Sequence, residues 1–218
     1  YNNLAYVIQG FEKRLEYYNK ALEIYKKFFN KDNSYIAIVY NNIGLLYYNE
    51  KKDLDTAIEN FNKALEIREK ILEESETFYI AQIHNNLGLV YSRQQKDDEA
   101  IEHLRTAVKI WEKVYGKSHT TIGITYNNLG LVYERTDLKK ALNLYNKALE
   151  IYSNIFRSKK HDYIGIVYNN LGNTYEKLGD YDKALECHNK SLSISIDIYD
   201  ENHEYVKDSQ NKINRIKE

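Results

Sequence analysis

The chain has 218 residues, of which 43% are hydrophobic, and its 31 basic and 32 acidic residues leave a net charge of −1. This balance gives no electrostatic footprint for nucleic acid or for an anionic membrane surface. No apolar run approaches the roughly 18 residues of a membrane span. The single cysteine, Cys187, excludes an internal disulfide framework and favours a cytoplasmic location.

A five-residue pattern returns along the chain: tyrosine or histidine, two asparagines, a large aliphatic residue and glycine. Complete copies begin at residues 40, 84, 126 and 168, and weaker copies begin at Tyr1 and Gln210. A spacing of about 42 residues is typical of stacked supersecondary units. Because Tyr1 falls inside a predicted helix and no initiator methionine precedes it, we expect the chain to be part of a longer protein.

Turn and capping residues divide the apolar-periodic segments into paired helices. In chain order the predicted helices span residues 11–29, 34–50, 54–73, 77–94, 97–115, 119–135, 138–157, 162–178, 181–199 and 203–217. The turns are too short for domain linkers. We therefore predict one continuous domain of five repeats, covering residues 1–32, 33–75, 76–117, 118–160 and 161–201, with a capping helix at 203–217. The first repeat is imperfect, since Ala5 replaces glycine and Arg14 replaces an alanine.

Each copy continues with the same spaced residues. A tyrosine stands three residues after the glycine, and an alanine follows further on. A large residue stands four residues after that alanine, and a small residue stands seven residues after it. The alanines are Ala57, Ala100, Ala141 and Ala184. This layout resembles the tetratricopeptide repeat (TPR), with tyrosine or histidine in place of the first tryptophan, and its period resembles that of kinesin light chains. The resemblance implies an all-α fold, a right-handed α-solenoid of stacked antiparallel helix pairs (a TPR superhelix).

The first helix of each pair, helix A, has two distinct faces. With the repeated tyrosine numbered 4, the asparagines are positions 5 and 6 and the glycine is position 8. At about 100° per residue, positions 4, 7, 8 and 11 share one face, which must be packed. Positions 2, 9 and 13 centre on the opposite face, with 5 and 6 on its flanks. We call this opposite face the A-face. In a TPR superhelix it lines the inner groove.

The A-face carries the candidate peptide-binding residues. They are Ile124 and Ile166 at position 2, Leu89 and Leu131 at position 9, Arg93, Arg135 and Lys177 at position 13, and Asn42, Asn85, Asn86, Asn127, Asn128, Asn169 and Asn170 on the flanks. An accessible apolar patch usually has a use, amides suit a peptide backbone, and arginines favour carboxylates.

The resemblance to kinesin light chains implies cargo-peptide contacts for Asn42, Asn86, Asn128 and Asn170. Two other interpretations remain open. The asparagines could instead be internal staples that bond backbone groups of the next helix and set the superhelical pitch. The basic residues could instead be ordinary solvated charges near helix C-termini.

These observations predict a non-enzymatic adaptor whose groove binds an extended or partly helical, acidic and apolar peptide of a partner protein. The alternative is a structural or self-assembly scaffold or sensor arm of a larger signalling protein. We expect no catalytic residues, cofactor, metal, nucleic acid or membrane partner. The six histidines lack metal-ligand spacing, and Cys187 and His188 point about 100° apart as helix neighbours.

Overall fold

The computed structural model describes residues 2–29, 32–71, 76–156 and 161–218, without the side chains of Tyr6 and Val7. Over these ranges the chain is helical, with no strand. It forms two compact units, residues 1–110 and 111–218. None of the described helices is both long and apolar enough to cross a membrane.

The helices follow the predicted order. They are α1 (Asn2–Val7), α2 (Phe11–Phe28), α3 (Ser34–Leu46), α4 (Leu54–Lys70), α5 (Thr77–Arg93), α6 (Asp97–Tyr115), α7 (Thr120–Tyr133), α8 (Leu138–Ile155), α9 (Asp162–Lys177), α10 (Tyr181–Ile198) and α11 (Glu204–Lys217). The predicted bounds are confirmed to within a few residues, apart from the ends expected at 73 and 157, which lie outside the described residues.

In the first unit each helix packs on the next one along the chain from α1 to α5. The glycines of helix A allow this close approach. A Cβ added at Gly44 would stand 2.7 Å from the ring of Phe61, and one at Gly88 would stand 2.5 Å from Leu104 of α6. Both Phe61 and Leu104 are fully buried. The packed face predicted from the periodicity is therefore the buried one.

The second unit repeats this packing from α7 to α11. A Cβ at Gly130 would lie 2.4 Å from the ring of Tyr145, and one at Gly172 would lie 2.5 Å from that of His188. In both cases the large residue is polar and bonds a glutamate that ends helix A. The Tyr145 hydroxyl donates to Glu134 over 2.7 Å, and His188 Nε2 lies 2.8 Å from Glu176 Oε1. Burial lowers the pKa of His188, although the bond to Glu176 opposes the shift.

Three histidines cap the N-termini of helices. Nδ1 of His119, His161 and His203 accepts the backbone N–H two residues further on. Each imidazole also stacks on an aromatic ring that ends the preceding helix, with centroids 4.0, 3.7 and 3.8 Å apart. The sequence predicted the turns at these points, but it did not identify histidine as the capping residue.

Repeats one and two depart from the common geometry. Ala5 is fully buried where the other copies have glycine, and Arg14 forms an ion pair with Glu50. After α3 the chain makes a π-helical turn over Tyr47–Lys51 and ends it with Lys52 at φ 55°. Repeat two has one residue more between its glycine and alanine than repeat three. A π turn absorbs one extra residue without ending the helix.

Candidate functional site

The A-face of the first unit contains a pocket between α3 and α5. Its volume is about 230 Å³, and Ile38 and Leu45 of α3 and Tyr79 of α5 form its apolar wall. Asn41 and Gln82 supply amide groups at its edge. The pocket thus combines an apolar wall with a few polar groups, as binding sites for side chains commonly do.

Arg68, on α4, also lines this pocket. The sequence did not predict a role for it. It is only 2% exposed, its guanidinium lies 4.0 Å from the Tyr79 ring centroid, and it forms an ion pair with Glu76. The Ser34 hydroxyl donates to the same carboxylate over 2.7 Å. One signal was available: Arg68 occupies a position where the next two repeats have Trp111 and Tyr152.

The A-face of the second unit is apolar along α7 and α9. Ile124 and Ile166 are half-buried, and Leu131 is 39% exposed. Leu89, the equivalent residue in the first unit, is half-buried. The predicted position-2 and position-9 residues therefore lie on the side of helix A that leaves them partly accessible.

The asparagines at positions 5 and 6 bond one another between adjacent repeats. In the first unit Nδ2 of Asn86 donates to Oδ1 of Asn41 over 3.0 Å, and Nδ2 of Asn42 donates to Oδ1 of Asn2 over 3.0 Å. In the second unit Nδ2 of Asn170 donates to Oδ1 of Asn127 over 2.9 Å.

The same geometry continues at the last helix with a different donor. Lys212 of α11 takes position 6, and its Nζ donates to Oδ1 of Asn169 over 3.0 Å. Asn85 on α5 and Asn128 on α7 are half-buried at the equivalent positions. The bonds that link Asn86 to Asn41, Asn42 to Asn2, Asn170 to Asn127 and Lys212 to Asn169 all join side chains, whereas the staple interpretation expected bonds to backbone groups. Each uses one carbonyl oxygen and one N–H, so that the remaining amide groups of a pair keep a fixed orientation.

The three basic residues at position 13 have different surroundings. Nη1 of Arg93 donates to the Tyr48 carbonyl over 3.1 Å, and its guanidinium lies 3.9 Å from the centroid of the Tyr48 ring. Lys177 is neutralised by Glu134, whose carboxylate lies 2.5 Å from Nζ. Arg135 is exposed just after α7. Arg93 is therefore oriented by two uncharged partners, a carbonyl group and a ring.

Family comparisons agree with this geometry. A model described as "Tetratricopeptide repeat" matches residues 1–70 and 79–154, and a second model of the same description matches residues 166–195. The chain belongs to the tetratricopeptide repeat family. The TPR fold generally mediates protein–protein interaction or scaffolding and is generally non-catalytic. A comparison with curated proteins gave no match.

Solved structures share the fold at low sequence identity. The crystal structure of BtubC (BKLC) from P. vanneervenii is similar with a TM-score of 0.75 and 24% identity, over 88% of this chain and 77% of that one. The apo form of RapI is similar with a TM-score of 0.75 and 16% identity, over 95% and 78%. The TPR-like repeats of a Podospora anserina kinesin light chain are similar with a TM-score of 0.69 and 17% identity, over 86% and 88%.

The described TPR residues offer little for chemistry. Among them no group of three or more histidine, cysteine, aspartate or glutamate side chains is placed to hold a metal ion. Cys187 is buried, and burial raises the pKa of its thiol to about 11. The thiol is therefore protonated near neutral pH, while the neighbouring His188 is directed to Glu176. Neither residue has the surroundings of a nucleophile.

Proposed function

We propose that the protein is a non-enzymatic interaction module whose A-face binds an extended or partly helical peptide of a partner protein. The observation that carries the proposal is the accessible apolar surface of helices A. Leu131 is 39% exposed and Ile124 and Ile166 are half-buried, although all three lie on helices whose other face is fully packed. A persistent apolar surface on a packed element marks an interaction site.

The first unit supports the proposal with a place for one apolar side chain. The pocket of about 230 Å³ beside Ile38 and Leu45 is the size of a side chain rather than of a whole ligand. The Asn41 and Gln82 amides at its edge suit the N–H and C=O groups of a peptide backbone. Arg93, further along α5, attracts an acidic side chain, since its own partners are a carbonyl and a ring.

A display screen of random peptides against the purified chain tests the proposal. We expect enriched peptides to carry apolar residues and acidic residues near each other. Leu131→Ser should weaken binding of an enriched peptide about tenfold, because a partly buried leucine contributes about 1–2 kcal/mol at an apolar contact. Ile196→Ser is the matched control, since Ile196 is 53% exposed on α10, the second helix of its pair. The absence of enriched peptides, or equal losses in both variants, would contradict the proposal.

Self-association as a scaffold is the alternative, and one observation favours it. Phe28 is 70% exposed and Tyr35 is 54% exposed in the first unit, and the rings of Phe29 and Tyr35 are 5.9 Å apart. Light scattering over a wide concentration range distinguishes the two functions, because a scaffold should show a growing mass. We place either activity in the cytoplasm, where a lone buried thiol stays reduced.

A further inference from the structure

A second pocket lies in the second unit among α9, α10 and α11. Its volume is about 150 Å³, and its lining includes Asp162, Ile166, Ser195, Tyr199, Tyr205 and Asp208. We call it the cap pocket. It adjoins the A-face of α9, because Ile166 belongs to both.

The cap pocket exists because of one small residue. Ser195 stands four residues after the second small residue of its repeat, and the earlier repeats have Arg68, Trp111 and Tyr152 at that position. Tyr152 is 1% exposed and fills its site so closely that a Cβ at Gly123 would lie 2.5 Å from its ring. The serine of the last repeat leaves the corresponding volume empty.

One polar atom of the cap pocket lacks a partner. The Oδ1 atom of Asp162 is buried without a hydrogen-bond partner within the described ranges. Ser195, which lines the same pocket, is only 5% exposed. Ser191 Oγ donates to the Gly165 carbonyl over 3.0 Å. Burial of an unsatisfied polar group costs free energy, and a ligand with N–H donors would recover it.

The charge of the cap pocket is negative at Asp162. Asp208 is compensated by Lys212, whose Nζ lies 2.7 Å from Oδ2, and the same Lys212 bonds Asn169. Asp162 has no ion-pair partner among the described residues, and its neighbour there is the Tyr199 hydroxyl. That hydrogen bond raises the pKa of Tyr199, with burial as the second cause. The rings of Tyr199 and Tyr205 also line the pocket, and their centroids are 5.7 Å apart.

We propose that the cap pocket binds the ammonium group of a lysine side chain in the partner peptide, an inference that rests on the proposed function of the A-face. An ammonium group carries three donors and no acceptor. It therefore suits the Asp162 carboxylate, whose Oδ1 lacks a donor among the described residues, while its alkyl stem packs along Ile166. A carboxylate ligand is disfavoured, because it would meet the charge of Asp162.

Titration with a minimal probe tests the pocket directly. Nα-acetyl-lysine N-methylamide, added to the isotope-labelled full chain, should shift the amide resonances of Asp162, Ser195 and Asp208 in a saturable way. The matched probe is Nα-acetyl-norleucine N-methylamide, which keeps the alkyl stem and lacks the charge. Equal shifts with both probes, or shifts elsewhere alone, would overturn the proposal.

Three variants separate binding from folding. Asp162→Asn should weaken the lysine probe at least about tenfold, as expected for loss of a charge-assisted hydrogen bond. Asp182→Asn is the control, because both aspartates lie in the first turn of a helix and Asp182 is exposed. Ser195→Tyr restores the residue type of Tyr152 and should abolish binding without lowering the melting temperature. Wild-type affinity in Asp162→Asn or in Ser195→Tyr would refute the pocket.

Failure of the inference differs from failure of the proposed function. Peptides enriched by display that bind equally well after each lysine is replaced by norleucine would keep the A-face and remove the lysine site. A lysine probe that binds while no peptide is enriched would overturn both, since the amine would then be a free ligand such as a polyamine.

Discussion

At the scale of single residues, the glycines of helix A are required by the side chains opposite them. Gly130 has ordinary helical geometry, but an added Cβ would lie within 2.4 Å of the Tyr145 ring. Gly165 sits in the same unit with more space, since the nearest side-chain atom, in Ile194, would be 3.3 Å away. Helix propensity favours alanine at both sites by about 1 kcal/mol. The space around each glycine therefore decides whether an alanine is tolerated there.

We expect Gly130→Ala to lower the free energy of unfolding by about 1–3 kcal/mol, because the fully buried Tyr145 ring must move. Gly165→Ala should be close to neutral, as the gain in helix propensity offsets a slight contact. Thermal melts of the two variants against wild type make the comparison. Equal melting temperatures for both would show that the ring does not determine the glycine.

The asparagine pairs give a second prediction at this scale. Asn170→Ala leaves the carbonyl oxygen of Asn127 without its donor, and a double-mutant cycle with Asn127→Ala isolates that bond. We expect a coupling free energy of about 0.5–1.5 kcal/mol in chemical denaturation. Titration of an enriched peptide against the same variants reports the ligand role separately. A coupling of zero together with lost affinity would favour the peptide clamp over the staple.

The sequence located these asparagines but not their partners. Helical periodicity places positions 5 and 6 on the flanks of the A-face, and that placement needs only one helix. The partner of Asn170 is set by the offset between α7 and α9, which the sequence of neither helix contains. The sequence alone therefore does not decide whether these asparagines staple the repeats or bind a ligand.

At the scale of helices, the bounds were predictable because several helices begin at a capping residue and turns separate them. Asp53, Asp137 and Asp180 all accept a backbone N–H of the first turn, as their positions before apolar periods predict. The π turn at Tyr47–Lys51 was not predicted. It changes the hydrogen-bond register by one residue. The extra residue of repeat two is visible in the spacing, but the spacing does not show where the helix accommodates it.

The pairing of α5 with α6 should make stability depend on pH. His84 Nδ1 lies 2.8 Å from His103 Nδ1, and burial, followed by His103, lowers the pKa of His84 to about 4. Burial also lowers the pKa of His103. An unfolded histidine titrates near 6.5, so the unfolded chain binds more protons between these values and stability falls as pH falls. Above about pH 6.5 the histidine is neutral in both the folded and the unfolded chain, so this loss of stability is absent.

We expect wild type to lose about 1–2 kcal/mol between pH 7 and pH 4.5 through this pair, after allowance for its partial exposure. His84→Tyr introduces the residue that Tyr126 and Tyr168 provide at this position and should flatten the pH dependence. Urea unfolding at several pH values measures both curves. Parallel curves would mean that the histidine pair is not the titrating element.

At the scale of the whole molecule, the fold was predictable because the repeats carry the same residues at the same spacing and can be compared with one another. A residue that departs from the other copies is visible by comparison: Ala5 replaces a glycine, Arg14 replaces an alanine, and Ser195 replaces the large residues of the earlier repeats. The cap pocket follows from the last of them. Its lining was not predictable, because the sequence predicts a capping helix but does not specify which side chains of α11 face α9 and α10.

The stability of a repeat protein is approximately the sum of the stabilities of its repeats and of the interfaces between neighbours. Terminal repeats have one neighbour fewer and open first. The N-terminal end should be the weaker one. Its α1 has six residues, Gly10 follows it at φ 95°, and Arg14 replaces the alanine of the other copies. The C-terminal α11 has fourteen residues and is tied to α9, since Lys212 bonds Asn169 and Arg215 pairs with Glu176.

Hydrogen exchange with peptide-level detection should therefore show amides of 2–28 exchanging first, those of α11 next and those of α9 last. The two ends serve as controls for each other, since both are ends of this chain and their helices differ in length and in contacts. Arg215→Ala and Lys212→Ala together should bring the exchange of α11 close to that of α1, because both ties to α9 are then lost. Uniform protection along the chain, or α11 opening before α1, would contradict a stability gradient set by neighbour contacts.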